Sequence, residues 1–484
     1  MKRITFIILI LFAVSLLAQE SESGGNFNMG GGVGSVVVGS QTYSRIRLMP
    51  ELKAGKFAAG LDFDLLIDSD GNIREEDWDE WKDYLNKIYY VRYGLRGDPF
   101  YAKAGGFDDF SLGKGLVMKN YTNMLRYPEV RQIGLQVGSN LPFSDLQLEF
   151  FSSNLAENDI LAGRAQFKPF PKMPVPLVNN LILGGTVAHD RNQIDGLLDS
   201  DNDDYADYFD DYPYNDNWHN EVDRHRDYYL GLYQEINGDS TGFNNWFENS
   251  SILPRNPSFS DLGENDVTVW GVDYELPLYQ SDLFYLSNYG EMAQIVDHNM
   301  GFIFPGFYSK FLIFQINLEY RTYQDDFTPA FFDYLYDEQR AYVENDTVYV
   351  KEQLLKNKVK THGWYGSITS DILNILKLTV SYEDMYKENS GNYRGIWGTV
   401  AFNIKYIPKL NTAEVSYGQT GFDNLKYFKT SNAYIKGKLG YSLASNTELV
   451  GSYQERYIDK DGSGKIKGKD ETEKTMSFGV QFRF

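Results

Sequence analysis

The sequence predicts an all-β fold: a transmembrane, antiparallel, up-and-down β-barrel of about 18–20 strands with long outer loops. Three observations predict it. Apolar and polar residues alternate with period two through nearly the whole chain beyond its amino terminus, as in strands with two unlike faces. After the amino-terminal run, no apolar stretch reaches the roughly 20 residues that a membrane-spanning helix needs. The nearest, Met173 to Ala188, is broken by Pro174, Pro176 and the pair Asn179-Asn180. Finally, the connections between alternating segments are long on one parity and short on the other, which fits a barrel with two unlike mouths.

At the amino terminus Lys2 and Arg3 precede an apolar run from Ile4 to Leu17, with Ala18-Gln19 as the expected cleavage point. Residues 1–18 therefore read as a signal peptide and 19–484 as a single barrel domain. An uncleaved anchor helix is the alternative. The chain has no cysteine, so a lipid-modified cysteine and a disulfide framework are both excluded. Without Lys2 and Arg3, 44 basic residues (46 − 2) face 67 acidic ones, a formal charge of −23. That balance excludes nucleic acid as a partner, because phosphate binding needs clustered Lys and Arg. The mean hydropathy of −0.43 excludes a helical membrane protein. It allows a barrel, in which only the outward half of each strand meets lipid. The 37 Tyr and 32 Phe suit two aromatic girdles at the bilayer interfaces, and on composition alone they suit a secreted sandwich equally.

The alternation is explicit in several segments. Tyr89, Val91, Tyr93 and Leu95 share one face, with Tyr90, Arg92 and Gly94 opposite. Leu376, Leu378, Val380 and Tyr382 alternate with Lys377, Thr379, Ser381 and Glu383. Ala413, Val415 and Tyr417 alternate with Glu414 and Ser416, and Ile435, Leu439 and Tyr441 with Lys436, Lys438 and Gly440. The polar faces, together with Arg92, Glu149, Gln481 and Arg483, are the expected lumen lining. Strands are expected from about Gly32, leaving no room for a large amino-terminal plug domain. Long connections are expected at 68–85, 107–130, 191–265, 324–360, 421–430 and 457–474, with a moderate one at 387–392. Short turns are expected at 53–55, Gly97–Pro99, Pro142, Pro169–Pro176, Pro277, Pro305, Asn374, Pro408 and 443–446.

The chain ends in Thr475-Met-Ser-Phe-Gly-Val-Gln-Phe-Arg-Phe484. Met476, Phe478, Val480, Phe482 and Phe484 fall on one face, and Ser477, Gly479, Gln481 and Arg483 on the other. This segment resembles the closing strand of bacterial outer-membrane β-barrels of the porin-like kind, whose terminal Phe and alternating residues are read by the barrel-assembly machinery. The resemblance implies residence in the outer membrane of a Gram-negative-type bacterium, contact with its lipid and lipopolysaccharide, an even strand number, and a periplasmic Phe484. Counting back from Phe484 puts the long loops on the outer side.

Three outer loops carry oxygen ligands at calcium-loop spacing. Asp199, Asp201, Asp203, Asp207 and Asp210 stand at positions 1, 3, 5, 9 and 12, with the Tyr205 carbonyl available at position 7. Calcium takes six to eight hard oxygens, and this spacing lets one loop wrap an ion. The stretch resembles the aspartate-rich repeats of thrombospondin type 3 arrays, with Asp204 where position 6 is usually Gly. Asp459, Asp461, Ser463 and Asp470 resemble an EF-hand loop, with Gly464 at position 6 and Ile466 at position 8, but with Asp at position 12 and four lysines. Asp68, Asp70, Asn72, Glu76 and Asp79 keep the spacing with Ile73 at position 6. In each case a solvated acidic loop is the competing reading. The expected role of Ca2+ is structural: ordering loops and bridging to anionic lipopolysaccharide.

For catalysis the sequence offers little. The five histidines show no HExxH or paired metal spacing, and no nucleophile elbow, Walker loop or dinucleotide fingerprint occurs. His189-Asp190 and Asp108-Asp109 loosely resemble the couples of omptin proteases, a pattern that arises easily among 67 acidic residues. The expectation is a non-enzyme. The segment from Phe107 to Arg126 is apolar, non-alternating and glycine-punctuated, so it is expected to fold into the lumen as a constriction or to pack over the mouth. Two functions follow: a porin-like channel for small polar solutes with cation-ordered outer loops, or a surface-structural or adhesion protein whose barrel anchors calcium-ordered binding loops, the large ones being 191–265 and 324–360.

Overall fold

The computed structural model describes residues 26–483 apart from 39–40, 75–76, 79–83, 85–86, 126–131, 158, 176, 202, 216, 250–255, 374, 388–389, 403–408, 423–426, 431–432, 445–446, 458–465 and 467–470. The strands are β1 (Asn26–Val38), β2 (Gln41–Ala54), β3 (Phe57–Leu61), β4 (Phe63–Ile67), β5 (Ile88–Tyr93), β6 (Phe100–Gly105), β7 (Phe110–Leu112), β8 (Met118–Tyr121) and β9 (Gly134–Leu141). There follow β10 (Leu146–Ser152), β11 (Ile160–Phe167), β12 (Ile182–Asp190), β13 (Val267–Gln280), β14 (Phe284–Ile295), β15 (Met300–Phe311), β16 (Phe314–Tyr323), β17 (Ala341–Glu344) and β18 (Thr347–Val350). The last are β19 (Thr361–Ile372), β20 (Leu376–Lys387), β21 (Ser390–Phe402), β22 (Leu410–Thr420), β23 (Ala433–Ala444), β24 (Thr447–Tyr457) and β25 (Thr472–Arg483).

Successive wall strands pair antiparallel, while β7–β8 and β17–β18 form separate hairpins inside connections. The ladder then returns to its start, with Gly30–Val33 of β1 paired to Val480–Arg483 of β25. Closure removes both sheet edges. β3 and β4 keep one register on β2 (Glu51 opposite Gly60, Leu48 opposite Phe63) across a break at Asp62. They are one stave, so the 21-stranded sheet is a wall of 20 staves (21 − 1). The number is even and lies at the top of the expected range.

Alternation sorts the side chains as the sequence predicts. Phe150, Val187, Val272, Ile316, Leu318, Val380, Val415 and Leu439 are exposed on the outer face, an apolar belt that only lipid can cover. Aromatic clusters sit at both rims: Tyr279, Phe284 and Phe311 at one (centroids 5.8 and 6.2 Å apart), and Tyr320 and Trp364 at the other (5.0 Å). This is the surface of an outer-membrane-type β-barrel. In β25, Met476, Phe478, Val480 and Phe482 register opposite Tyr453, Gly451, Leu449 and Thr447, on the apolar phase of β24. Phe484 and residues 1–18 lie outside the described residues.

The longest connections fall where the period breaks, at 68–87, 106–133, 191–266 and 324–360. Four expectations need correction. β1 begins at Asn26, earlier than Gly32. Pro277 and Pro305 lie inside β13 and β15, and each sits at a register shift, between Pro277 and Tyr279 and between Ile303 and Gly306. A bulge accommodates a residue with no N–H to give to the ladder, so these prolines mark bulges, and the turns fall at 281–283 and 312–313. In place of the connection expected at 387–392, β20 and β21 pair as far as Lys387 opposite Ser390, which leaves only positions 388–389 between the strands.

The wall is uneven. β5, β6 and β9–β12 have six to nine residues. The strands from β13 onward in the wall have ten to fourteen.

Candidate functional site in the barrel lumen

The connection 106–133 turns inward. Its β7–β8 hairpin packs Phe110 flat on Phe151 of β10, centroids 3.9 Å apart, with Phe107 edge-on to both. Asn123 fixes its base, accepting from the Phe107 N–H at 2.8 Å and donating to the Ser153 carbonyl at 2.8 Å. The tip reaches Glu291 on β14: the Lys114 N–H donates to Oε1 at 3.0 Å and the Leu116 N–H to Oε2 at 2.7 Å. Lys114 also pairs with Glu275 on β13. Gly113 has φ +74°, a backbone conformation that favours glycine, and a Cβ there would press on the Glu291 carboxylate. Arg96, in the turn at the other mouth, donates to the Ser111 carbonyl at 3.0 Å. The hairpin tip lies near mid-height of the wall, since Glu291 pairs with Asp273, seventh of the 14 residues of β13.

The connection 324–360 meets it there. Met118 and Phe332 form a parallel bridge, with the Ala330 N–H on the Leu116 carbonyl at 2.8 Å and the Lys119 N–H on the Phe332 carbonyl at 3.0 Å. Leu116, Val117, Met118, Phe327, Phe331, Phe332 and Tyr336 join wall residues Phe151, Ile160, Ala188, Val269 and Ile295 in one buried cluster. An apolar core thus fills the upper lumen beside β10–β15. From the same connection Tyr334 extends to β23, where Lys436 Nζ donates to its hydroxyl at 2.7 Å.

A buried polar latch joins the two connections to the rim. Arg340 donates to both carboxylate oxygens of Asp190 at 2.7 and 2.6 Å, and Tyr336 donates to Asp190 Oδ2 at 2.7 Å. Tyr121 donates to Asp337 Oδ1 at 3.0 Å. Asp190 has no exposed surface, and Arg340 also approaches Asp159 at 3.5 Å. Burial pushes the Asp159 carboxyl above its ordinary value, against the pull of Arg340. This overturns the omptin-like couple. Asp190 points inward and is fully engaged by the latch, while His189, one residue earlier in the strand, takes the opposite face and meets Thr268 at 2.9 Å.

The wall from β19 to β24 is lined differently. Thr369, Thr379, Thr399, Ser416, Lys436 and Gln454 are direct neighbours across successive ladders, on the phase opposite Ile368, Val380, Val415 and Leu439. Thr399 and Ser416 hydroxyls are 2.9 Å apart. Lys377, Glu414 and Lys438 form the next row. Arg92, Glu149 and Glu383 also face inward, Glu149 accepting from Arg96 at 2.7 Å and Glu383 from Arg321 at 3.3 Å. The side chains of Gln481 and Arg483 lie outside the described residues.

The carboxylate loops sit on the same side as the latch. Asp199, Asp201 and Asp203 each present an oxygen, all within 4.8 Å of one another. Asp203 Oδ2 and Asp210 Oδ2 are buried and accept no hydrogen bond among the described residues. Burial raises the carboxyls of Asp201 and Asp203, and pushes Asp210 up to about 6 with further help from the charges of Asp203 and Asp201. Asp207 is turned away, accepting from the Ser200 N–H and hydroxyl at 2.7 Å each. Asp204 adopts φ +76°, the left-handed turn that position 6 requires. In the second loop Asp68 Oδ1 accepts from the N–H groups of Asp70 and Asn72 at 2.9 and 2.8 Å, and Oδ2 takes the Asn72 amide. That is an ordinary aspartate turn. Glu76, Asp79, Asp459, Asp461, Ser463 and Asp470 lie outside the described residues.

Sequence reasoning missed Glu291, Tyr336, Asp337 and Arg340. The signal available was the aromatic density of 324–360, where Phe327, Phe331, Phe332 and Tyr336 crowd a segment expected to meet water.

No family model matches the chain, and no curated protein matches it in sequence. Among solved structures it is similar to Pseudomonas aeruginosa OpdQ (9% identity, 95% of this chain and 96% of that chain, TM-score 0.35) and to Acinetobacter baumannii OccAB3 (10%, 96% and 99%, 0.34). It is also similar to the FrpB iron transporter of Neisseria meningitidis (8%, 96% and 81%, 0.37). At these TM-scores the likenesses carry no weight for function, and the fold rests on the closed ladder itself.

Proposed function

We propose that the chain is a porin-like outer-membrane channel for small polar solutes, in which the inward connections occupy one arc of the lumen and solutes follow the other. The observation that carries this is the register-paired row from Thr369 to Gln454, whose hydroxyl, amide and ammonium groups can replace a solute's water one partner at a time. A wall of 20 staves encloses an interior wide enough for an aqueous path unless loops fill it. Mixed charges along this row and the next (Lys436; Lys377, Glu414 and Lys438) suit neutral or weakly charged solutes. In this reading lipid and lipopolysaccharide surround the outer belt, and the assembly machinery engages β25.

A second reading, a surface-structural or adhesion protein anchored by its barrel, draws on the connection 191–266. It holds helices Arg226–Asn237 and Phe243–Asn249 and a small core of its own around Val222, Phe243 and Phe247. Single-channel recording of the refolded full chain separates the two. The channel reading expects steady conductance that rises when Ser111–Met118 is deleted. A sealed bilayer before and after the deletion would reject it.

A further inference from the structure

We infer that the connection between β12 and β13 binds one divalent cation of the calcium class through the carboxylates of Asp199, Asp201, Asp203 and Asp210. The first three oxygens lie within 4.8 Å of one another. Two ligands on opposite sides of a single Ca2+ stand about 4.6–5.2 Å apart, since each bond is roughly 2.3–2.6 Å. Like charges held that close repel unless a cation or protons lie between them. An acidic cluster is common on a protein surface, but here two further facts point to a ligand. The Asp203 side chain is only 5% exposed, and its Oδ2, like that of Asp210, is buried with no hydrogen-bond donor among the described residues, His219 Nδ1 standing 4.0 Å from Asp203 Oδ2, beyond hydrogen-bond reach. A buried carboxylate oxygen without a donor is costly; Asp201 Oδ1 is a third such atom, and Asp201 and Asp203 belong to the one 4.8 Å cluster, where a single ion would serve both.

The surroundings fit an ion held by a folded loop. Asp201 Oδ2 accepts from the Asn215 N–H at 2.6 Å, tying the cluster to the segment that follows it. The Tyr205 ring stacks on His219 with centroids 3.7 Å apart, and His219 Nε2 meets Asp223 Oδ2 at 2.6 Å. The ion would therefore staple 199–210 to 215–223. The donor set is all oxygen and strongly anionic, which suits a hard cation and not zinc or copper. Asp207, committed to Ser200, is not a ligand. The inference does not depend on what the lumen passes.

The test uses the full chain refolded in detergent, stripped with a chelator and titrated calorimetrically with calcium chloride, then with magnesium chloride. Trypsin cleavage at Arg224 and Arg226 is followed in parallel. The probe variant is Asp203→Asn with Asp210→Asn, which keeps side-chain volume and relieves repulsion. The control is Asp459→Asn with Asp461→Asn. Expected are calcium heat and at least ten-fold slower cleavage in the unsubstituted chain and in the control, both lost in the probe variant, with magnesium much weaker. No calcium heat, equal protection in the probe variant, or equal protection by magnesium would each overturn the inference.

Discussion

The arc from β5 to β16 and the arc from β19 to β25 share one ladder and one alternation, yet they use their inner faces in opposite ways. On the first, Phe151, Ile160, Ala188, Val269 and Ile295 point inward and are covered by the two inward connections. On the second, the same phase carries Thr379, Thr399, Ser416 and Lys438, with Met385 at the outer end of β20 joining the buried cluster. The difference teaches that period two separates lipid from lumen but does not say whether the lumen is wet. An inward residue is apolar where the apolar parts of the inward connections cover it, and polar where water or a polar group of the chain, as at Asp190 and Glu291, is its neighbour.

Breaking the latch should affect the filled arc most. Arg340→Ala leaves Asp190 buried without its cation, a loss of about 3–5 kcal/mol. Chemical denaturation should show a separate, early transition of the lumen core while the barrel persists, and a single transition at the original midpoint would contradict the arrangement. Glu291→Gln is the next largest. It weakens the seat of the Lys114 and Leu116 N–H groups by about 1–3 kcal/mol, so current recordings should become noisier as the hairpin tip loosens; quiet traces would place the tip elsewhere. On the open arc, Lys438→Glu should leave the melting temperature within its usual scatter. It should move reversal potentials toward cations, since one unit charge acts on a passing ion by about 1 kcal/mol at 4 Å in water. An unmoved reversal potential would mean ions avoid this wall.

The smallest expected effect concerns pH. Because Asp159 is held above its ordinary value, the folded rim binds its proton more tightly than the unfolded chain does. Its contribution is complete below the unfolded value and is lost as pH rises through the folded one. Asp159→Asn should flatten the fall in denaturation midpoint between those two values. An unchanged slope would assign the dependence to another group.

Most of the wall was legible in the sequence, because alternation is a local property. The boundaries at Asp190 and Val267, and at Tyr323 and Thr361, fall where the period breaks. Phe107–Arg126, apolar without alternating, left open an inward fold or a cover over the mouth, and the hairpin takes the first. The bulged prolines did not read correctly, since a Pro in a turn and a Pro at a bulge look the same locally. Nor did the latch, because Asp190 and Arg340 are 150 positions apart and nothing in either neighbourhood names the other. Among the acidic loops, spacing pointed to Asp199, Asp201, Asp203, Asp207 and Asp210; the structure brings oxygens of the first three within 4.8 Å, and spacing could not tell that Asp207 would turn to Ser200.

The seat of Gly113 on Glu291 also dictates an order of assembly. The hairpin that docks there leaves the wall after β6, but its seat belongs to β14, some 175 residues later. Its base can rest on Phe151 and Ser153 as soon as β10 is in place, but its tip has no carboxylate seat until β14 has joined the ladder.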